Sequence, residues 1–571
     1  MINKCSRKQK RVTKMAKKYV IGIDFGTQSG RAVLVEADTG REIATAIEVY
    51  AHGVIDTYLP DGRTKLGSGW ALQHPQDYLD VLGKTIPKVL KIAQVGASNV
   101  IGIGIDFTAC TVLPIDEQGT PLCFYEEYTS NPHAYVKLWK HHAAQNEVNE
   151  LNRIANERGE MFLKYYGGKV SSESLIAKIW QTLNEAPDIY DKADKFMEAG
   201  DWIVLQLTGV EKRSSCAAGF KSLWNKEKGF SSREFFQALN LRLENVVDNK
   251  LGNEYFPVGY RAGEITQKAA ELTGLKPGTS VAVACVDAHA GVPGAGITEE
   301  GQMLMIMGTS TCHIVHSAKI KAVSGIFGVV EDGIIPGLYC YEAGQCGVGD
   351  CFEWFVKNCV PASYRMEAEK KGMSIHAILS EKAGKIGPGE SGLIALDWWN
   401  GNRSILVNAD LSGAIIGFTL LTKPEEIYRA LIEATAYGTK MIIENYEQSG
   451  IPIKEIYVAG GIAENTLAMQ IYADVINKDI KVSASSQTAA LGAAIFGAVA
   501  AGGSRGGYDY ITDAIKSMVK QNSQFYRPIP ENVRIYNELY QEYQKLHDYF
   551  GRGLNDVMER LKRIKIEQES N

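Results

Sequence analysis

The sequence predicts an α/β protein with two large domains and a cleft between them. Segments with strand and helix patterns alternate along the chain, which is typical of α/β folds. The chain has 571 residues, more than one hydrophobic core usually holds, so we expect two domains. Two apolar strands that end in similar polar turns, at Gly26 and at Gly308, lie about half a chain apart. This spacing indicates a duplicated domain, with the cleft between the two copies.

The first of these hairpins organises the chain. Tyr19–Ile23 is apolar and β-branched and predicts a buried strand, and a returning strand is expected over Arg31–Val35. In the turn between them, Gly26 and Gly30 permit positive φ and let backbone N–H groups approach a ligand closely. Taken alone, the stretch is equally typical of an ordinary hairpin with a polar turn.

Polar side chains of this hairpin suit a phosphate chain that carries a divalent cation. Thr27 adds a hydroxyl donor and Arg31 a fixed positive charge. Asp24, where the first strand ends, can hold Mg²⁺ through water. The second copy repeats the apolar strand, Met303–Met307, and the polar turn, Gly308–Thr311. Together the two hairpins predict one phosphate site between the two halves of the chain.

A third segment adds to the predicted nucleotide site. Gly460 and Gly461 follow an apolar strand and would let a flat base slide across bare backbone. The helix expected after them points its N-terminus at polar groups, and Asn465 can hydrogen-bond the base or the ribose. A Gly-Gly helix start is common in proteins, so this segment gains weight only together with the two hairpins.

The single-loop nucleotide motifs are absent from the sequence. Gly83-Lys84-Thr85 resembles the end of a P-loop, but Tyr78 occupies the position of its first glycine. No G-x-G-x-x-G segment follows a predicted strand either. A nucleotide held between paired hairpins is the interpretation that remains.

Composition and charge exclude several function classes. The net charge of −5 provides no basic field for nucleic acid or an anionic membrane. The apolar run Ala489–Ala501 is too short to cross a bilayer and predicts a buried, closely packed helix. Ten cysteines without a C-x-x-C pair indicate reduced thiols in a cytosol. Residues 1–18 form a basic arm, expected to be disordered, with no apolar segment behind it that would make a secretory signal.

The other elements of the first half follow from local patterns. We expect a strand over 42–50, a helix beginning near Pro75, strands over 100–106 and 111–115, mainly helices over 133–200, and a helix over 201–208. A loop of small residues over 214–224 leads into a strand. An apolar strand over 280–287 ends in Asp287, and we place the domain junction in the glycine-rich passage 288–296.

The second half continues the alternation. We expect a strand and loop over 338–349, helices over 350–357 and 427–449, a strand–turn–helix over 455–476, a strand over 481–484 and a helix over 488–501. The charged tail, 536–565, predicts a helix. Its tyrosines could face either their own core or a second subunit, so a homodimer is one alternative.

Two phosphate hairpins that grip one nucleotide from both sides resemble the superfamily of sugar kinases, actin and heat-shock chaperone ATPases. This resemblance implies two actin-like (ribonuclease H-like) domains with a central cleft. It also implies a sugar-binding domain over 19–296 and a nucleotide-binding domain over 297–571.

Two further segments identify the chain as a member of the FGGY carbohydrate kinases. Gly413–Phe418 with Glu426–Glu433 resembles the C-terminal signature of that family, although Leu431 is bulkier than the usual residue. Lys178–Trp180 resembles the core of the N-terminal signature, with a different spacing before it. The resemblance implies a cytoplasmic kinase that transfers phosphate from ATP, with Mg²⁺, to a sugar.

The resemblance also assigns roles to residues. In that family a strand-terminal Asp near the domain junction is the catalytic base, which corresponds to Asp287; such a carboxylate can accept the proton of a sugar hydroxyl as the O–P bond forms. A helix cap is the alternative role for an Asp at this position. The implied nucleotide contacts are Gly26, Thr27, Gln28, Arg31, Gly308, Thr309, Gly349, Gly460, Gly461 and Asn465.

Three segments are similar to the branch of the family that phosphorylates the C5 hydroxyl of L-ribulose, the entry step of arabinose use. Thr108 and Ala109 stand in the substrate turn, where glycerol kinases carry Arg-Glu and xylulokinases Met-His. Lys221 and Glu342 correspond to residues that reach the sugar, although Lys and Glu are usually only solvated. Another pentulose or polyol, such as xylulose or ribitol, stays open as the substrate. An ATP-switched chaperone or sugar sensor is the alternative from a different class.

Overall fold

The computed structural model describes residues 17–520 and 524–569. The basic arm predicted for residues 1–18 therefore lies outside the described residues, except for Lys17 and Lys18. Lys17 forms an ion pair with Glu36, and the Lys18 carbonyl accepts a hydrogen bond of 2.9 Å from the Ala37 N–H. The described end of this segment thus lies against the first hairpin.

The first half of the chain contains a series of strands and mostly short helices. Its strands are β1 (Tyr19–Phe25), β2 (Ser29–Glu36), β3 (Glu42–Val49), β4 (Leu72–Gln73), β5 (Val100–Phe107), β6 (Val112–Ile115), β7 (Val136–Lys137), β8 (Lys195–Glu198), β9 (Arg213–Ser214), β10 (Tyr255–Phe256), β11 (Arg261–Glu264), β12 (Ser280–Ala282) and β13 (Cys285–Val286). Its helices are α1 (Pro75–Ala93), α2 (Gln145–Arg158), α3 (Leu175–Glu185), α4 (Pro187–Lys192), α5 (Ala199–Thr208), α6 (Ser215–Lys221), α7 (Arg233–Leu239), α8 (Gln267–Thr273) and α9 (Asp287–Gly294).

The second half repeats the alternation with longer helices. Its strands are β14 (Gln302–Met307), β15 (Thr311–Ser317), β16 (Gly328–Glu331), β17 (Tyr339–Gln345), β18 (Ile394–Leu396), β19 (Ala414–Ile416), β20 (Glu455–Ala459), β21 (Ile480–Val482) and β22 (Phe525–Tyr526). Its helices are α10 (Gly349–Cys359), α11 (Ala362–Lys371), α12 (Ile375–Ala383), α13 (Pro424–Gln448), α14 (Thr466–Ile476), α15 (Thr488–Ala501), α16 (Ile511–Met518), α17 (Pro530–Gly551) and α18 (Val557–Glu569).

Each half is built on a seven-stranded sheet with the same arrangement around its hairpin. In the first sheet β1 pairs antiparallel with β2 and parallel with β5. In the second, β14 pairs antiparallel with β15 and parallel with β20. Both hairpin turns follow the carboxyl end of a central strand, so the α/β fold class and the duplication of the hairpin unit are confirmed.

Helix α15 belongs to the second half of the chain but packs on the first sheet. Gly22 and Gly104 are paired residues of β1 and β5, and they leave room for the helix backbone. A Cβ atom on Gly104 would lie 1.8 Å from the Ala493 carbonyl oxygen, and one on Gly22 would lie 1.8 Å from the Ala490 carbonyl oxygen. The prediction of a buried helix in close contact with a neighbour is therefore confirmed.

The loop predicted over 214–224 is wrong in its first part. Residues 215–221 form α6 rather than a loop, because the Ser214 side chain caps the helix by accepting from the Ala217 N–H. The glycine-rich passage after Asp287 is helix α9. Its Gly294 permits contact with α15, since a Cβ there would lie 1.9 Å from the Thr488 carbonyl oxygen. Among the residues expected to be mainly helical, β7 and β8 add strands to a small four-stranded sheet.

The C-terminal tail packs on its own core. It consists of α17 and α18 rather than one helix, and Tyr536, Tyr540 and Tyr543 are buried in the core of the second half. This settles the placement of the tyrosines that the sequence left open. Among the described residues, all nine cysteines are free thiols, and no helix has the length and apolar character needed to cross a bilayer.

The glycine contact under α15 gives a test of the fold. We expect Gly104→Ala to destabilise the protein by about 3 kcal/mol, because two backbones must separate to admit the methyl group. Gly96→Ala is the matched control, since its Cβ would meet only the Ser98 hydroxyl at 3.9 Å. Urea unfolding measures both; equal midpoints for the two variants would contradict the packing.

Candidate active site

A cavity of about 310 Å³ lies between the two sheets and is lined by residues from both halves of the chain. Its size lies at the lower end of the range for small-molecule sites. Ten of the residues predicted from the sequence line it: Asp24, Thr27, Arg31, Thr108, Ala109, Asp287, Gly308, Thr309, Glu342 and Gly460. The cavity thus brings together residues that the sequence assigned to nucleotide and to sugar.

Three carboxylates meet where parallel strands end. Asp24 is the partner of Asp106 across β1 and β5, and β13 runs parallel to β5 so that Asp287 follows directly after it. Because the carboxyl ends of parallel strands lie at one edge of a sheet, the register itself places these acids side by side. Asp106 lies next to the cavity-lining Asp24, and the sequence did not predict it as part of the site. It ends an apolar strand as Asp287 does, and that rule could have identified it.

Burial controls the ionisation of this group. It raises the pKa of Asp287 to about 7, with a further contribution from the nearby charge of Asp24. Asp106 is fully buried, its oxygens accept no hydrogen bond from the described residues, and burial raises its pKa well above the usual value. Burial also raises the pKa of Asp24, although Arg31, at 3.3 Å across the hairpin, opposes this. In its protonated form, Asp106 can donate a hydrogen bond to Asp24.

The first phosphate turn is held from several sides. The Trp139 indole N–H donates to Thr27 Oγ1 at 3.0 Å, and the Gln73 amide donates to the Thr27 carbonyl at 2.8 Å. Neither Gly26 nor Gly30 adopts the positive φ that a glycine permits. Gly30 is needed for packing instead, because a Cβ there would lie 2.7 Å from a Val81 methyl group.

The second phosphate turn rests on the start of α10. The Val348 N–H donates to the Thr309 carbonyl at 2.9 Å, and the Gly349 N–H donates to the Gly308 carbonyl at 3.1 Å. A Cβ on Gly349 would lie 2.6 Å from that same carbonyl oxygen. Gly349 therefore supports the turn from behind and does not line the cavity.

The Gly-Gly segment reaches the cavity through one of its glycines. Gly460 lines it with φ of +96°, and a Cβ there would lie 2.4 Å from the Met307 carbonyl oxygen. Gly461 faces open space, because a Cβ added there would meet no atom within 4 Å. The Asn465 side chain caps α14 by accepting from the Ala468 N–H at 3.2 Å, and its amide donates to Ser380 Oγ at 3.1 Å. Its contact with a nucleotide stays a prediction.

The substrate turn at Thr108 and Ala109 is fixed to both neighbouring segments. The Thr108 N–H donates to the Phe25 carbonyl at 3.2 Å. The ammonium of Lys178 is buried and donates to the carbonyls of Cys110 and, at 2.9 Å, Leu138. The family signature around Lys178 thus includes the side chain that holds the substrate turn.

Four charged side chains, three buried and one nearly so, form a ring beside Asp287. Lys221 lies 3.5 Å from Glu173 and 3.9 Å from Glu342, and Arg403 lies 3.3 Å from Glu342 and 3.7 Å from Glu173. Burial tends to raise the pKa of Glu342, but Lys221 and His289 outweigh it and lower that pKa strongly. Lys221 itself lines a small adjoining cavity that also includes Arg403.

The sequence analysis missed Glu173, Arg403 and Trp139, which all line the main cavity. No motif points to them, because each lies in an irregular segment and reaches the site only through the tertiary fold. Among the residues that it did predict, Gln28 is exposed on the first turn. The Gly26 carbonyl, next to the cavity, accepts a hydrogen bond of 2.9 Å from the Tyr50 hydroxyl.

Comparison with known proteins assigns both halves of the chain to the same family. The N-terminal domain of the FGGY family of carbohydrate kinases matches residues 19–294, and the C-terminal domain matches residues 303–501. A ribulokinase from Bacillus licheniformis is 59% identical over 538 residues, 94% of this chain and 97% of the relative. A ribulokinase from Geobacillus thermodenitrificans is 57% identical over 552 residues, 96% of this chain and 98% of the relative.

Solved structures share the fold. A xylulose kinase from Rhodospirillum rubrum superimposes with a TM-score of 0.75 at 23% identity, covering 93% of this chain and 98% of that one. A gluconate kinase from Lactobacillus acidophilus gives 0.77 at 18% identity, covering 94% and 99%. At these identities the likeness shows the two-domain fold alone. On the two family matches and the full-length relatives, the chain belongs to the FGGY family of carbohydrate kinases and is an ATP-dependent sugar kinase.

Proposed function

We propose that this kinase transfers the γ-phosphoryl group of ATP to the C5 hydroxyl of L-ribulose, giving L-ribulose 5-phosphate. The observation that carries the proposal is the cavity in which Asp287 faces both phosphate turns and Glu342. The choice of sugar is supported by the relatives named ribulokinase, which match 94–96% of the chain at 57–59% identity.

Asp287 is the general base in this proposal. One of its oxygens accepts a 2.7 Å hydrogen bond from the Ala288 N–H, which fixes the carboxylate and leaves the other oxygen for the sugar hydroxyl. Its raised pKa of about 7 makes it a stronger base than a solvated Asp, while a large fraction is still ionised at neutral pH. The carboxylate takes the hydroxyl proton as the oxygen attacks phosphorus.

The phosphate end combines donors from both halves. Arg31 carries a fixed charge into the cavity and is held by Asp24 and by a 2.7 Å hydrogen bond to Gln487. The turns at Thr27 and Thr309 face each other across the same cavity. These groups orient the triphosphate and offset the charge that develops on it.

The acidic edge of the first sheet fits Mg²⁺ bound through water. Asp24 lines the cavity and Asp106 lies beside it with oxygens that accept no hydrogen bond from the described residues. No group of three or more metal-binding side chains occurs among the described residues. A cation at this edge would be held largely by waters and phosphate oxygens. When bound, Mg²⁺ would neutralise phosphate charge; Asp24 would hold its water ligands.

The sugar end provides charged partners for hydroxyl groups. Glu342 lines the cavity. Its Oε1 accepts from Arg403 at 3.3 Å, and its Oε2 lies 3.2 Å from His289 Nε2. Thr108 and Ala109 form a wall of small side chains in the same cavity. Lys221 and Arg403 complete a set of charge-assisted contacts for a neutral polyhydroxy substrate.

The substrate is tested by ADP release against a panel of L-ribulose, D-ribulose, D-xylulose, ribitol and glycerol. We expect the highest kcat/KM with L-ribulose, because the small wall and the charged ring leave room for a pentulose that binds by its hydroxyls. A higher kcat/KM with D-xylulose or ribitol than with L-ribulose would identify that compound as the substrate instead. ADP release that no sugar stimulates would favour an ATP-switched sensor instead.

The base is tested by Asp287→Asn. We expect kcat to fall by about 10²- to 10⁴-fold, the usual range for removal of a general base, because asparagine retains the Ala288 hydrogen bond but cannot take a proton. Cys312→Ser, which changes another cavity-lining side chain of similar size, is the control and should remain active. Unchanged phosphorylation by Asp287→Asn would remove Asp287 from the base role.

The same variant tests the ionisation of Asp287 through stability. Its pKa is raised from 3.8 to about 7 in the folded state, so the ionised form is disfavoured by folding. This penalty is absent below pH 4, grows as pH rises to about 7 and is fully present above it. We expect Asp287→Asn to melt at the wild-type temperature at pH 4 and at a higher temperature at pH 8. A lower melting temperature at pH 8 would contradict the raised pKa.

A further inference from the structure

His289 lies at the junction of three elements that carry the polar residues of the sugar end. Helix α6 carries Lys221, helix α9 carries Asp287 and strand β17 carries Glu342. His289 belongs to α9, two residues after Asp287, and is fully buried. It does not line the cavity, so the mechanism above makes no use of it.

The imidazole contacts the other two elements with both of its nitrogen atoms. Nδ1 lies 3.2 Å from the Cys216 sulfur on α6, and Nε2 lies 3.2 Å from Glu342 Oε2 on β17. The ring also packs on Phe220 of α6, with centroids 4.3 Å apart. The angle at Nε2 is outside the range of a hydrogen bond, so this contact is electrostatic in the present geometry.

The charges around His289 favour its protonated form. Burial lowers its pKa, but the opposing charges of Cys216 and Glu342 outweigh burial and raise it. Asp287 on its own helix adds negative charge, and His316 on β15 is neutral because burial lowers its pKa to about 3. A cation enclosed by an acidic thiol and a carboxylate holds both of them by charge as well as by contact.

We propose that His289 is a positioning residue that sets the Glu342 carboxylate against Lys221 and Asp287 at the sugar end of the cavity. The inference rests on the proposed function, since it deepens the account of the same site. It accounts for two polar contacts that a histidine merely filling the core would not need, those with Cys216 and Glu342. It also links the two halves, because Glu342 comes from the second sheet and the other partners come from the first half.

The test uses His289→Gln, which keeps a polar side chain without the charge, and His289→Leu, which removes both. We expect the KM for L-ribulose to rise about 10- to 100-fold in His289→Leu, the scale for loss of a contact to a buried charge. The KM for ATP should stay within about twofold. His289→Gln should lie between the wild type and His289→Leu.

A second readout separates positioning from a purely structural role. The imidazolium lowers the pKa of Asp287, so the acid limb of kcat/KM for L-ribulose should move to higher pH in both variants. Loss of folding alone would reduce the active fraction and leave this limb unmoved. Should His289→Leu fail to fold, His289→Gln and Cys216→Ala, which removes the Nδ1 partner, carry the same measurement.

His316→Gln and Cys340→Ala are matched controls. Both substitutions replace side chains that are as buried as His289, and neither side chain lines the cavity. Neither ring nitrogen of His316 has a hydrogen-bond partner among the described residues. They should leave the KM for L-ribulose unchanged. An unaltered KM in folded His289→Gln, or a parallel rise in the KM values of both substrates, overturns the proposal. Wild-type turnover of L-ribulose tests the proposed function separately.

Discussion

The site depends on the meeting of three acids at the ends of neighbouring parallel strands. Asp24, Asp106 and Asp287 are brought together by strand register alone, and burial then raises the pKa of each. Like charges in a low-dielectric site are unfavourable for folding. Arg31 opposes the charge of Asp24, and burial favours the neutral form of Asp106 by raising its pKa. In the proposed function, this edge of the sheet provides both the general base and the place for a cation.

The second constraint is the close approach of α15 to the first sheet and to α9. Gly104 lets the helix backbone approach β5, and Gly294 lets α9 lie against its N-terminal turn. Because α9 begins with Asp287, the depth at which α9 packs also sets how far the base enters the cavity. A helix from the second half of the chain therefore fixes the position of the proposed base, which belongs to the first half. The small residues that look like a membrane-type run in the sequence are what this packing requires.

Much of this architecture follows from local patterns, because strands, turns and helices obey rules that act over a few residues. The two hairpins, the Gly-Gly segment and the helix at Thr488–Ala501 are of this kind. The helix α6 was missed because Ala, Gly and Cys give no amphipathic pattern and its main signal is the Ser214 cap. The role of Gly30 was not specified for a related reason: a glycine can serve backbone freedom or close packing, and the sequence does not distinguish the two.

The residues that the sequence could not supply are those of the charged ring. Glu173 and Arg403 lie 230 positions apart in segments without regular structure, so their meeting is a property of how the two halves associate. Two acids and two bases give the ring no net formal charge, which suits an uncharged sugar. The pair distances of 3.3–3.9 Å exceed the 2.7–2.9 Å of a good charge-assisted hydrogen bond. Buried charges whose mutual contacts are this long are stabilised by additional hydrogen bonds when hydroxyl groups of a sugar lie between them. Selectivity at this end of the cavity then follows from desolvation, because a substrate lacking one hydroxyl leaves a buried charge with an incomplete set of partners.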